Sequence, residues 1–385
     1  MLTSITLKDY TTFINTTTFD FKATNYKILE ETNVGSNRIL KGALFVGENA
    51  SGKTQVLKSI ILLLNLLLEN SEQNYLIKIS MYTKGIKYNL IYTFCIKNTN
   101  VKYEIGFNGN NIDLEKLYLN DELKLERLKD NGIIYFDKQK EIENINPQLS
   151  LLKQEYYNTR CNNNSIINEL FEFLKNSIYI NCLKGKMKSY NPAKISEQVI
   201  YKYAEAKDAS KLNEFINKLG YNSEIVFNKQ TTNKDKTIVI DSDNESIGIK
   251  KKNTDLVMPL PMESTGNQVF VNMILPINYA TKNNCMIIVD EFSSGLHNDL
   301  EEALIKFFFN NSKDSQLFFT SHSTHLLDTW LMRPDQIYSF KFDSKEGTLV
   351  KRFSDENPRE SQNIEKMYLS GVFDGMPQYN KEFKD

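Results

Sequence analysis

At 385 residues, with 41% apolar and 11% aromatic side chains, the chain has ample material for a buried core, as one large domain or two ordinary ones. Lysine plus arginine (47) nearly cancels aspartate plus glutamate (48). That balance excludes a bulk positive field for nucleic acid or anionic lipid and leaves any such contact to a local patch.

Met1 is followed at once by Leu2-Thr3-Ser4-Ile5-Thr6-Leu7, without a basic stretch or small-residue cleavage site, so no export is expected. Ser4 to Leu7 and Thr18 to Phe21 alternate like edge strands and are expected to pair as a hairpin, with Asp9 to Asn15 near its turn. A third strand, Ala43 to Val46, runs into the sequence GENASGKT at 47–54. The apolar run Val56 to Leu68 is interrupted by Lys58 and Asn65 and is shorter than the roughly 20 residues a bilayer requires, so it reads as a buried helix. Asn89 to Phe94 and Val101 to Ile105 read as two strands around a turn at 97–100.

From about residue 115 to 220 the expected character is helical. Ile166, Ile167, Leu170, Phe171 and Leu174 share one face of a 3.6-residue period behind the polar start Asn162-Asn163-Asn164-Ser165. Leu212, Phe215, Ile216 and Leu219 repeat the pattern before Gly220. Glu224 to Asn228 and Thr237 to Ile240 are expected to pair across the polar stretch 231–235. Met286 to Val289, ending in Asp290-Glu291, and Gln316 to Thr320, ending in Ser321-His322, flank a helical Leu300 to Phe308 segment, the pattern of a βαβ unit with a buried parallel sheet. The four cysteines, Cys95, Cys161, Cys182 and Cys285, form no C-x-x-C pair, which points to isolated reduced thiols and a cytoplasmic setting.

Gly47, Gly52, Lys53 and Thr54 fit G-x-x-x-x-G-K-[ST] in the strand-loop-helix context that the motif needs. Glycines let the backbone turn tightly and aim N–H groups at phosphate oxygens, and the helix start adds its positive dipole end. In that reading Lys53 holds the β and γ phosphates of ATP and the Thr54 hydroxyl holds Mg²⁺. Asp290 supplies a second metal ligand, and Glu291 orients the attacking water or takes its proton. Taken alone, an acidic pair after a strand also describes a helix N-cap with a solvated neighbour. His322 falls on the same carboxyl edge of the sheet, placed to sense the γ-phosphate; the other reading of His322 and His325 is a metal pair or a capping histidine. Tyr10 and Phe13 either touch the base or belong to the core. The basic clusters Lys184 to Tyr190 and Ile249 to Lys252 either meet phosphate or form a solvated surface.

Together these residues resemble the ABC-type ATPase heads found in SMC, RecF and OLD proteins. The resemblance assigns Asn49 and Ser51 to the nucleotide loop, Ser264 and Gly266 to the signature, 293–297 to the D-loop and His322 to the switch. Towards the C-terminus, Leu326-Leu327-Asp328, Arg333 to Tyr338 and Tyr368 to Phe373 are similar to a stand-alone bacterial subfamily. That subfamily includes the RloA and AbiL ATPases of abortive-infection loci and the AriA ATPase of PARIS antiphage systems. The signature here reads Ser-Thr-Gly-Asn where the subfamily has Ser-x-Gly-Thr, and Gln73 is the candidate Q-loop residue.

The resemblance implies one α/β P-loop NTPase domain over 1–385, an ABC-ATPase head with a mixed sheet and a helical insertion lobe at 115–220. It implies a slow, regulatory ATPase that uses ATP and Mg²⁺ and works as a homodimer or higher homo-oligomer, each nucleotide held between one chain's P-loop and the other chain's signature. It implies a switch that senses infection and controls an effector encoded nearby, a Toprim-like nuclease, with no membrane partner. The alternative is a DNA-repair ATPase of the RecF or SMC kind that binds duplex DNA.

Overall fold

The structure, a computed structural model, describes residues 1–69, 86–136, 138–158, 165–190, 209–218, 221, 223–228, 246–254 and 256–376. Gln73, Cys161, Asn162 to Asn164, Leu219, Gly220 and the expected strand Thr237 to Ile240 lie outside them.

The chain opens with β1 (Leu2–Lys8) and β2 (Thr17–Asp20), which pair antiparallel as expected, with Ile5 opposite Phe19. Next come β3 (Gly42–Gly47), the helix Lys53–Leu68, and the hairpin β4 (Lys87–Ile96) and β5 (Thr99–Asn108). Along β4 every second residue is buried, the pattern of a strand with one face on the core. Then the chain departs from the expected helical lobe: β6 (Asn111–Leu119), β7 (Glu122–Leu128), β8 (Asn131–Ile134) and β9 (Lys140–Ile142) extend a meander into an eight-stranded sheet ordered β2-β1-β4-β5-β6-β7-β8-β9. Leu117 and Leu125 are buried while Lys116 and Glu126, bonded across the strands at 2.8 Å, stay on the wet face. Charged residues at alternate positions suit a half-solvated strand as well as a helix surface, and here the period of two prevails. Among the described residues of 115–220 the helices are Leu151–Asn158, Ser165–Lys175 and Ala209–Lys218.

The second sheet is the one that positions the site. It has seven strands in the order β11 (Lys186–Ser189), β10 (Ile178–Asn181), β15 (Met286–Asp290), β16 (Gln316–Thr320), β3, β17 (Ile337–Asp343), β18 (Gly347–Arg352). The five inner strands are parallel and the two edge strands antiparallel, so the sheet is mixed. Every residue of β3, β15 and β16 is buried, because both faces are covered. Ala43, Phe45, Ile288 and Phe318 pack with the Lys53–Leu68 helix against the antiparallel sheet. Leu44, Val46, Ile287, Val289, Leu317 and Phe319 pack on the opposite face with the helices Thr265–Lys282 and Asn298–Asn311.

Tyr10 and Phe13 are fully buried in the first core, which takes the core reading over contact with a base. A small third sheet joins β12 (Ser223–Asn228), β13 (Ser246–Lys251) and β14 (Val257–Pro259). β12 pairs antiparallel with β13.

Candidate functional site

Parallel strands present their carboxyl ends on one edge of the sheet, and loops leaving that edge converge. Here β3 leads into the GENASGKT loop, β15 ends in Asp290 and β16 ends in Thr320. Thr54 Oγ1 donates to Asp290 Oδ1 at 3.0 Å across 236 residues of chain, and Thr320 Oγ1 donates to the same oxygen at 3.0 Å. Asn181 Nδ2, at the end of β10, donates to Asp290 Oδ2 at 3.3 Å.

The loop conformation requires its glycines. Gly47 (φ 139°) and Gly52 (φ 107°) lie in the region that favours glycine, and a Cβ there would come within 2.3 Å of the Phe340 carbonyl oxygen and 2.5 Å of Thr348 Oγ1 respectively. Gly52 is also the N-cap of the Lys53–Leu68 helix, so the first free N–H groups of that helix open towards the loop. Lys53 is buried and its Nζ donates to the carbonyls of Gly47 (2.9 Å) and Glu48 (2.8 Å). Burial pushes the Lys53 ammonium down from its ordinary range, opposed by the carboxylates of Glu291, Asp290 and Glu48. Ser51 is fully buried and its hydroxyl has no hydrogen-bond partner among the described residues, while Asn49 is exposed at the loop tip.

Glu291 has a left-handed backbone (φ 60°), a costly state for a non-glycine residue that the surroundings hold in place. Its N–H donates to Thr320 Oγ1 at 2.8 Å. Its carboxylate lies 3.6 Å from His322 Nε2, and the imidazole holds the Glu291 carboxyl below its ordinary range. The carboxylate is therefore ionised at neutral pH, the state a water-orienting group needs.

Ser264 caps the Thr265–Lys282 helix, accepting from Asn267 N at 3.4 Å. Gly266 lies against the turn at Gly295, whose carbonyl oxygen a Cβ would approach to 3.1 Å. The signature and D-loop stretches are thus neighbours. Among the described residues no hydrogen bond or ion pair joins Ser264 or Gly266 to the P-loop of the same chain.

The residues fit a magnesium nucleotide. A Cβ-free cradle, an orphaned buried hydroxyl at Ser51, a buried lysine and an oxygen pair at Thr54 and Asp290 form a donor set for phosphate and a hard cation. A zinc site is not among them: the described residues hold no cluster of three or more His, Cys, Asp or Glu side chains with metal-ligand geometry.

Two contributors carry no local sequence signal. Thr348 Oγ1 donates to Ser51 O at 2.9 Å across 297 residues, and it contacts Thr12 Oγ1 at 2.6 Å, so the β17–β18 hairpin props the P-loop from behind. Asn181 is a polar residue at a strand end beside Asp290.

The fold and this edge define a P-loop nucleotide-binding protein with the α/β architecture of an SMC-type ATPase head. The family model described as "AAA domain, putative AbiEii toxin, Type IV TA system" matches residues 43–328, and the chain belongs to that family. Among solved structures the chain is similar to the SMC head domain from Thermotoga maritima, at 13% identity and a TM-score of 0.50, over 91% of this chain and 97% of that one. It is similar also to an SMC head bound to the C-winged helix domain of ScpA, at 11% identity and a TM-score of 0.51, over 91% and 96%. At such identities the likeness concerns the fold. No curated protein matches the chain. Among the described residues no helix is long and apolar enough to cross a membrane.

Proposed function

We propose that this chain is an ATP-binding and hydrolysing switch that closes as a homodimer over nucleotide and controls a separate effector in an abortive-infection or antiphage setting. The observation that carries it is the convergence of Lys53, Thr54, Asp290, Glu291 and His322 at one sheet edge. Magnesium ATP, when bound, supplies the electrophilic phosphorus and a metal that offsets charge on the transferring phosphoryl group. The N–H groups of the 47–54 loop, with Lys53 and Ser51, hold phosphate. Thr54 and Asp290 take the metal, and Glu291 orients water and accepts its proton. His322 reports the γ-phosphate to the loop it sits on.

Ser264 and Gly266 are reserved in this reading for the partner copy's nucleotide. Among the described residues neither is bonded to the P-loop of the same chain, and a serine beside the N–H groups of a long helix suits a phosphate. The family description, with its toxin-antitoxin setting, supports an effector in trans, and a Toprim-like nuclease is our choice of effector.

Glu291→Gln keeps the shape of the site and removes its base. Light scattering should show this variant doubling in mass with Mg-ATP and returning to one copy with ADP. A variant that binds Mg-ATP yet keeps its mass would overturn the dimer. Robust ATP-dependent cleavage of nucleic acid by the purified chain, lost in Asp290→Asn, would overturn the separate effector. The competing reading, a duplex-binding ATPase, rests on the lysine run Lys250 to Lys252 at the end of β13, and salt-sensitive, ATP-stimulated duplex binding would favour it.

A further inference from the structure

We propose that Glu301, a buried carboxylate on the first turn of the Asn298–Asn311 helix, is a positioning residue that sets the distance between Glu291 and His322 by ordering a chain of serine hydroxyls. The inference rests on the roles given above to Glu291 and His322. Glu301 is 1% exposed, and its Oε2 accepts from Ser293 Oγ at 3.0 Å. Ser293 Oγ is hydrogen-bonded to Ser321 Oγ, and Ser321 Oγ accepts from Ser323 N at 2.9 Å.

An ionised carboxylate can only accept, so it fixes the sense of every bond behind it. Ser293 must donate to Glu301 and therefore accepts from Ser321, whose remaining lone pair takes the Ser323 N–H. The chain runs one way, from Ser323 to Glu301. Ser293 lies two residues after Glu291, and Ser321 and Ser323 flank His322. The loops that carry the two reacting-edge side chains are therefore stitched together on both sides: by Thr320 to the Glu291 N–H, and by this chain to Glu301.

Burial raises the Glu301 carboxyl above its ordinary range, and the groups facing it oppose that shift: the Ser293 and Ser323 side chains, His325, whose Nε2 lies 3.3 Å from the same oxygen, and His297 all favour the ionised form. Its place in the first helical turn adds the dipole. A structural carboxylate would need no such one-way chain ending on the histidine loop.

The test compares Glu301→Ala, Glu301→Gln and Ser293→Ala in the full chain. Amide hydrogen exchange at Ser323 is read without nucleotide, and turnover and Mg-ATP affinity are read separately. Glu301→Ala and Ser293→Ala should speed Ser323 exchange about tenfold, the worth of one hydrogen bond. Both should lower turnover about 10–100-fold while nucleotide affinity holds, as expected for a residue behind the reacting groups. Glu301→Gln keeps an acceptor oxygen and should rescue both readouts. Unchanged Ser323 exchange in both alanine variants would overturn the proposal, as would a glutamine variant as impaired as the alanine one. Should Glu301→Ala fail to fold, Ser293→Ala, which deletes one hydroxyl, carries the test. If the wild type proves inactive while exchange follows the prediction, the functional reading falls and the hydrogen-bond chain stands.

Discussion

Two acidic residues of this fold, Asp335 and Glu291, are held in opposite ways. Asp335 is fully buried, and its oxygens take four donors: Arg333 Nε (2.9 Å) and Nη2 (2.8 Å), and the Thr24 backbone N–H and hydroxyl (2.7 Å each). Arg333 Nη1 donates to the carbonyls of Tyr26 and Ile28. Glu291 is 28% exposed on a left-handed backbone, with the His322 imidazole 3.6 Å from its carboxylate. A saturated carboxylate pins segments distant in sequence, whereas a strained and unsaturated one can change partners.

The sharpest way to break this contrast is to remove one member of each kind. At the site edge, Asp290→Asn should cut turnover about 100-fold or more, because the charge facing Thr54 is lost where the transition state develops its own. Its circular dichroism and melting curve should stay near wild type. In the pinned region, Asp335→Asn strands a buried guanidinium and should destabilise the fold by about 3–5 kcal/mol in urea unfolding, with turnover per folded molecule little changed. Activity loss without stability loss at Asp335, or the reverse at Asp290, would erase the distinction.

Acid should sharpen it. Burial raises the Asp335 carboxyl, but Arg333 and Thr24 outweigh burial, and the net direction is below the ordinary value of 3.8. A carboxyl lowered by folding contributes stability that is present in full above its unfolded value and is lost as pH falls through its folded value. The stability gap between wild type and Asp335→Asn should therefore hold steady at neutral and mildly acidic pH and close only below 3.8. Urea midpoints across a pH series measure it.

The smallest effect is expected where the two kinds of region meet. Thr348→Val removes the hydroxyl that props Ser51 and should weaken Mg-ATP binding about fivefold, the worth of about 1 kcal/mol for one hydrogen bond. Thr348→Ser should restore it, and equal affinities for all three forms would contradict the propping role.

Much of the site edge could be read from the chain because its chemistry is local. Gly47 to Thr54 lie within one loop, and Asp290-Glu291 and Thr320 to His322 each end an apolar run. Thr348, Asn181 and Glu301 could not be found that way, since each acts on a segment distant in sequence and is an ordinary polar residue in its own surroundings. Of the five parallel strands, β3, β15 and β16 were legible as apolar runs, while β10 and β17 were not. The meander β6 to β9 was not, because it carries Glu115, Lys116, Glu122, Lys124 and Glu126 among the leucines, a composition shared with solvated helices. Glu115 points inward all the same and is buried, accepting from Tyr103, Ser150 and the N–H groups of Leu151 and Leu152. Only tertiary structure supplies the donors that make this tolerable.

Titration calorimetry of Mg-ATP into the wild type and into Lys53→Ala tests the central claim most directly. The account predicts one nucleotide per chain for the wild type and no measurable heat for the variant at the same concentrations, with both proteins equally folded. Equal affinity in the two, or no affinity in the wild type, would contradict it.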